Sequence, residues 1–230
     1  MDVAAIAHGL AVWAVPVIIA ITFHEAAHGF VAWQLGDDTA KRLGRVTFNP
    51  IKHVDLVGTI LVPGFLLLAS QFASSTPVFG WAKPVPVDFS RLRNPKRDMV
   101  WVAAAGPAIN LALAAAAIFF YAPNSRIMAD GFTFTDEVLR AAITINLVLA
   151  VFNMIPLPPL DGGRVAVGLL PHSLALPLAR TERFGFLIIV GLLLLLPFMG
   201  QHAGVSLDIF PWLVIGPAEF LYRTIAGLIG

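Results

Sequence analysis

Apolar residues along this chain run in long blocks, and polar residues are confined to the gaps between them. Stretches nearly free of Asp, Glu, Lys, Arg and His cover residues 3–23 (broken only by His8), 56–82, 99–125, 141–160, 184–201 and 209–222 (broken only by Glu219). A helix needs about 20 apolar residues to cross a hydrocarbon core of about 30 Å, so the first five are long enough or nearly so. The sixth is short even with Glu219 inside it. The pattern predicts an all-α polytopic membrane protein with about five to six transmembrane segments in one membrane-embedded domain over residues 1–230. No internal repeat or low-complexity linker divides it. The first block lacks the basic n-region and processing site of a cleaved signal peptide, so it is expected to remain as a helix.

Composition agrees with lipid as the main solvent. The chain is 58% hydrophobic and 13% charged, against roughly 25% charged in soluble domains. Its mean hydropathy is +0.82. A formal net charge of +1 leaves no basic surplus for nucleic acid. Cysteine is absent, which removes disulfides, thiolate ligands and a cysteine nucleophile. Any metal must therefore be held by histidine and carboxylate.

The charges orient the blocks. Of 15 basic residues, Lys41, Arg42, Arg45 and Lys52 fall in one loop and Lys83, Arg91, Arg93, Lys96 and Arg97 in another. The positive-inside rule places both loops in the cytoplasm. Residues 56–82 must then enter and return on one side, and Pro63, Gly64, Pro77 and Gly80 are the breakers a re-entrant hairpin would use. The first helix, running inward, brings residues 24–36 to the same face as residues 156–164. Two polar clusters far apart in sequence are thus expected at one depth.

The first cluster is His24-Glu25-Ala26-Ala27-His28. Residues four apart share a helix face, so both imidazoles can converge on one cation, with Glu25 about 100° round beside the open position. This is the His-Glu-x-x-His spacing of zinc metalloproteases, with Glu25 as general base. In a chain of this composition it arises by chance on the order of 0.003 times. Ionisable groups within an apolar helix are costly unless they pair or bind something.

Two histidines leave zinc short of a third protein ligand. Asp161 is the candidate, in Asn153-Met-Ile-Pro-Leu-Pro-Pro-Leu-Asp161-Gly162-Gly163. The prolines must break the helix, and the glycine pair permits a turn that aims the carboxylate back into the bundle. An N-cap role is the plainer alternative. Asn146 and Asn153, seven residues apart, share one helix face. Glu219 precedes Arg223 by four residues and reads as an ion pair rather than a ligand. His8, His172 and His202 sit near segment ends, where interfacial roles are the default, and His53 lies nearer the polar cluster.

Taken together, His24 through His28, Ala105-Gly-Pro-Ala-Ile-Asn110, Asn153 through Gly162, and Gly80-Trp-Ala-Lys-Pro-Val-Pro86 resemble the site-2 protease family of intramembrane zinc metalloproteases, in its short bacterial form. The resemblance covers about residues 10–170. It implies one zinc held by His24, His28 and Asp161, a catalytic Glu25, and a three-helix core below the cytoplasmic surface, with residues 184–230 as accessory helices. It implies cleavage of transmembrane protein substrates within or beside their membrane helix, in the bilayer of a bacterial inner membrane. These 230 residues contain no PDZ or CBS module. The family often shows Asp-Pro where this chain has Asp55-Leu56, a departure that leaves the zinc motif intact.

Asn153 and Asn110 are candidate donors to the substrate backbone or a developing oxyanion, against simple interhelical hydrogen bonding. Residues 39–49 carry β-branched and turn residues that could form a short strand or hairpin able to receive an unwound substrate, with an ordinary basic loop as the alternative. The run from Ala103 to Ala108 reads as close helix packing. Two rival functions stay open. A metal or ion transporter would spread its polar residues across the full depth, whereas here they gather at one end of two segments. A non-catalytic binding or scaffold relative would be expected to have lost Glu25 or a ligand, and none is lost.

Overall fold

The computed structural model describes residues 3–55, 58, 61, 83–127, 133–202, 204–205 and 207–229, and every regular element among them is helical. In chain order the helices are α1 (Val3–Gln34), α2 (Thr39–Arg42), α3 (Pro95–Ile127), α4 (Phe134–Asn153), α5 (Asp161–Leu169), α6 (His172–Arg180), α7 (Glu182–Val190), α8 (Leu196–His202) and α9 (Gly216–Ile229). Single 3-10 turns occur at Pro50–His53 and Phe89–Arg91. A π-helical turn, Gly191–Leu195, joins α7 to α8, and another, Pro211–Ile215, leads into α9.

Among the described residues, four stretches are long and apolar enough to cross a membrane: Ala7–Gln34, Pro95–Tyr121, Glu182–Gly200 and Pro211–Ile229. Each turns large apolar side chains outward: Trp13 and Ile18, Trp101 and Phe119, Phe186 and Phe198, Trp212 and Phe220 are all exposed. Lipid tails are as apolar as these side chains, so the exposure carries no penalty there. The chain is an all-α polytopic membrane protein.

Local chemistry sets the ends. Gly36, at φ +119°, closes α1 while the Asp37 N–H reaches back to the Ala32 carbonyl at 2.9 Å, as a C-terminal glycine permits. Pro95 opens α3, where its missing N–H would have been unpaired anyway. A capping box starts α4, with the Asp136 carboxylate accepting from the Thr133 N–H at 2.9 Å. The block at 141–160 is therefore helical only to Asn153, and Pro156, Pro158 and Pro159 end it. Helix α4 carries Asp136, Glu137 and Arg140 in its first two turns and packs against both α1 and α3. Ala114, Ala117 and Ile118 of α3 meet Ile143 and Leu147 of α4 and Ala218 of α9 in one core, where the alanines allow close approach.

Two expectations change. The sixth block does not stop at Tyr222: Arg223 pairs with Glu219 at 3.8 Å and the helix runs on to Ile229. Residues 39–49 hold no strand or hairpin. The Asp37 carboxylate accepts from the Thr39 N–H at 3.0 Å and from its hydroxyl, which starts one helical turn that Gly44 closes at φ +64°, and Phe48 then stacks on Phe23 at 4.4 Å. The expected re-entrant hairpin over 56–82, Trp81 included, lies outside the described residues apart from Gly58 and Leu61.

Candidate metal centre

Helix α1 presents His24 and His28 one turn apart, their rings edge to face with centroids 4.7 Å apart. Each ring is held at the nitrogen facing away from its neighbour. His28 Nδ1 donates to the Val102 carbonyl at 2.7 Å, and His24 Nδ1 to Asn110 Oδ1 at 2.5 Å. A backbone carbonyl only accepts, so the proton of a neutral His28 sits on Nδ1 and its Nε2 carries a lone pair. Room for both Nε2 atoms exists because α3 has no side chain at Gly106. A Cβ there would stand 2.5 Å from each of them. The run from Ala103 to Ala108 reads from sequence as helix packing, and its glycine turns out to line the site.

Asp161 is delivered by the proline-rich loop that follows α4 at the same end of the bundle. It is the first residue of α5, with Leu160 as N-cap and no side-chain capping bond, so its carboxylate is free of the capping role. Gly162 and Gly163 make this approach feasible: a Cβ on either would lie 2.2 Å from backbone of the preceding loop, at Met154 and Pro158 respectively. Pro158 is in turn covered by Gly185 of α7, where a Cβ would meet the Pro158 carbonyl at 1.9 Å. Asp161 Oδ2 lies 3.1 Å from His24 Nε2 and 3.3 Å from His28 Nε2.

Oδ2 is buried and has no hydrogen-bond donor. Three electron-pair donors thus face one point, a set that suits a cation; a buried carboxylate left alone costs several kcal/mol. The ligand atoms of the three residues lie within 4.8 Å of one another, so the group could hold a metal ion. Ligands about 2 Å from a shared tetrahedral zinc stand roughly 3.3 Å apart, close to the 3.1 and 3.3 Å separations of Asp161 Oδ2 from the two imidazoles. Two imidazoles and a carboxylate are also a donor set zinc accepts in catalytic sites.

Glu25, between the histidines, is half-buried. Its Oε2 accepts from the Val85 N–H at 2.7 Å. Residues 83–88 form an extended strap along α1, and four further bonds fix it. The Lys83 N–H donates to the His53 carbonyl at 2.9 Å, Arg45 donates to the Lys83 carbonyl at 2.7 Å and the Pro84 carbonyl at 3.4 Å, and the Asp88 N–H donates to Asp37 Oδ2 at 2.7 Å. Val85 seats in the notch above Gly29. At the end of the strap, the Ser90 hydroxyl and N–H hold the Asp88 carboxyl below the usual carboxylate range.

The two asparagine candidates part company. Asn110 is fully buried, its oxygen on His24 and its nitrogen on Asn146 and the Ala20 carbonyl, so its amide is already committed within the bundle. Asn153 is half-buried at the end of α4 and donates to the Leu149 carbonyl at 3.0 Å. His53 bonds the Thr47 carbonyl at 3.0 Å, and His8 pairs with Glu137 at 2.6 Å near the other end of the bundle. The segment from Gly80 to Pro86 stands out in the sequence as part of the family resemblance, but nothing local signals that it would lie over Glu25; Pro84 and Pro86 only keep it extended.

Comparison with known proteins adds lineage to this geometry. Residues 127–196, which contain Asp161, match Peptidase family M50. The chain is 40% identical over 178 residues to a Bacillus subtilis (strain 168) protein named "Putative zinc metalloprotease YwhC", covering 76% of each. It is 29% identical over 182 residues to the "Putative zinc metalloprotease Rip2" of Mycolicibacterium smegmatis, covering 77% of this chain and 64% of that one. No solved structure matches. A histidine pair and an aspartate converging inside a helical membrane bundle, in a chain of this ancestry, place it in the site-2 protease family of zinc metalloproteases, Peptidase family M50.

Proposed function

We propose that this metalloprotease is an intramembrane endopeptidase, cutting transmembrane proteins within or next to their membrane helix. The observation that carries this reading is the meeting of His24, His28 and Asp161 at 3.1 and 3.3 Å inside apolar helices. Along α1, His24 stands 10 residues, about 15 Å, from Gln34. Along α3, Gly106 stands 11 residues, about 16 Å, from Pro95. Both ends meet the basic loops, so the site lies within the bilayer on the cytoplasmic side of the inner membrane.

In this reading His24, His28 and Asp161 hold one zinc. The ion supplies Lewis acidity toward the scissile carbonyl and makes water acidic near neutral pH. Glu25 accepts the attacking water's proton and returns it to the departing amine. The Val85 N–H fixes Oε2, which leaves Oε1 for that transfer. Asn153, at the rim, offers an amide to the substrate backbone.

The test compares purified wild type with Glu25→Gln for zinc content and for cleavage of a panel of transmembrane substrates in detergent. Zinc in both with cleavage by wild type alone is expected. Equal cleavage by both overturns the assigned mechanism, and stoichiometric zinc without cleavage of any substrate favours a binding role.

A further inference from the structure

His28 is oriented by a backbone carbonyl, but His24 depends on side chains, and the dependence runs through a residue that touches no ligand atom. His24 Nδ1 bonds Asn110 Oδ1 at 2.5 Å. Asn110 Nδ2 donates to Asn146 Oδ1 at 2.8 Å and to the Ala20 carbonyl at 3.2 Å. Asn146 Nδ2 donates to the Ala142 carbonyl at 2.9 Å. Asn110 is 0% and Asn146 3% exposed, so the relay is closed to solvent and each member depends on the others.

The relay has a direction. An amide offers oxygen at one end and NH2 at the other. The Ala142 carbonyl can only accept, so Asn146 turns its nitrogen there and its oxygen toward Asn110. That oxygen and the Ala20 carbonyl both require protons, so Asn110 gives them its nitrogen and gives His24 its oxygen. Facing an oxygen, the neutral imidazole keeps its proton on Nδ1 and its lone pair on Nε2, the atom that faces Asp161. With the amide reversed, an NH2 would meet Nδ1, draw the lone pair to the wrong nitrogen and leave Nε2 protonated.

We propose that Asn146 is a positioning residue for metal binding: through Asn110 it fixes the tautomer in which His24 can be a ligand. The inference rests on the reading of His24 as a zinc ligand. It also makes the α1–α3–α4 contact part of the metal site.

The experiment measures zinc affinity by chelator competition, and the visible absorption of the cobalt(II) form, on the full chain in detergent. Asn146→Leu removes the acceptor at similar volume. Asn146→Asp, neutral in a buried setting, keeps an oxygen for Asn110 and an O–H for Ala142. Asn146→Leu is expected to weaken binding 10- to 100-fold and alter the cobalt absorption, with Asn146→Asp within about threefold of wild type. A packing role alone predicts the opposite ranking, since leucine suits an apolar helix interface better than aspartic acid. Leu binding as tightly as wild type, or Leu and Asp weakening equally, overturns the proposal. Asn146→Ala gives the same comparison if the Leu variant does not assemble. A wild type that binds no metal, or a His24→Ala variant that binds as tightly as wild type, would instead overturn the reading of the site.

Discussion

The backbone N–H of Val85 donates to Glu25 Oε2 at 2.7 Å, so the carboxylate assigned as general base is held by a strap 60 residues further along the chain. Val85 stands between Pro84 and Pro86. A residue preceding proline is confined to extended conformations that proline itself adopts. Val85→Pro keeps the extended backbone but replaces the N–H by a ring carbon, so Glu25 Oε2 loses its donor and must turn away from the strap. Hydrogen bonds to charged groups contribute about 1.5–3 kcal/mol, and part of this orients Glu25 for proton transfer. We expect kcat to fall about tenfold, KM to change little and bound zinc to stay at the wild-type level. Steady-state kinetics on a transmembrane substrate, with metal analysis of the same preparation, checks this.

Gly106→Ala tests the space for the two imidazoles. Its Cβ would lie 2.5 Å from both Nε2 atoms. Neither ring can swing freely, because each is held at Nδ1 by α3. Loss of metal affinity by at least tenfold is expected, the range seen when ligand orientation is disturbed. Isothermal titration with zinc measures it, with Gly9→Ala, where nothing lies within 4 Å, as the unaffected control.

Gly185→Ala probes how α7 bears on the loop that delivers Asp161. A Cβ at 185 would sit 1.9 Å from the Pro158 carbonyl, against rigid backbone. Overpacking of this kind costs about 1–3 kcal/mol. The variant should melt at lower temperature and lose zinc affinity together. Gly191→Ala meets nothing within 4 Å and should be neutral or slightly stabilising, as Ala for Gly in an open helix site is. Thermal melts with and without zinc separate the two.

Tags at Arg93 and Ser125 test orientation. Helix α3 runs between them, and the positive-inside rule expects the basic end inside. Labelling of intact cells with a membrane-impermeant reagent should reach cysteine placed at 125 and spare cysteine placed at 93.

How much of this was legible beforehand differs by residue. His24, His28 and Asp161 could be brought together from sequence because helix spacing, prolines and glycines are local signals, and charge placement puts both clusters at one depth. Glu25's partner was not legible: nothing local tells an extended Pro-Val-Pro segment which carboxylate it will meet. Gly106 carried a small-residue signal whose cause, two imidazoles in place of a neighbouring backbone, depends on which face of α3 meets α1. Asn146 and Asn153 share a face by spacing, yet Asn146 bonds across to α3 and Asn153 to its own helix. Residues 39–49 have strand-forming composition, but the Asp37 carboxylate beside Thr39 decided for a helical turn.

The ligand group is divided between the first helix and one that begins at residue 161. Under the proposed function, a chain that has inserted α1, α3 and α4 but not yet docked α5 would hold an incomplete binding site and could not cut a neighbour. Metal capture then adds its binding free energy to the assembled bundle alone. On that reading, a protease surrounded by other helices would stay inert until its own fold is finished.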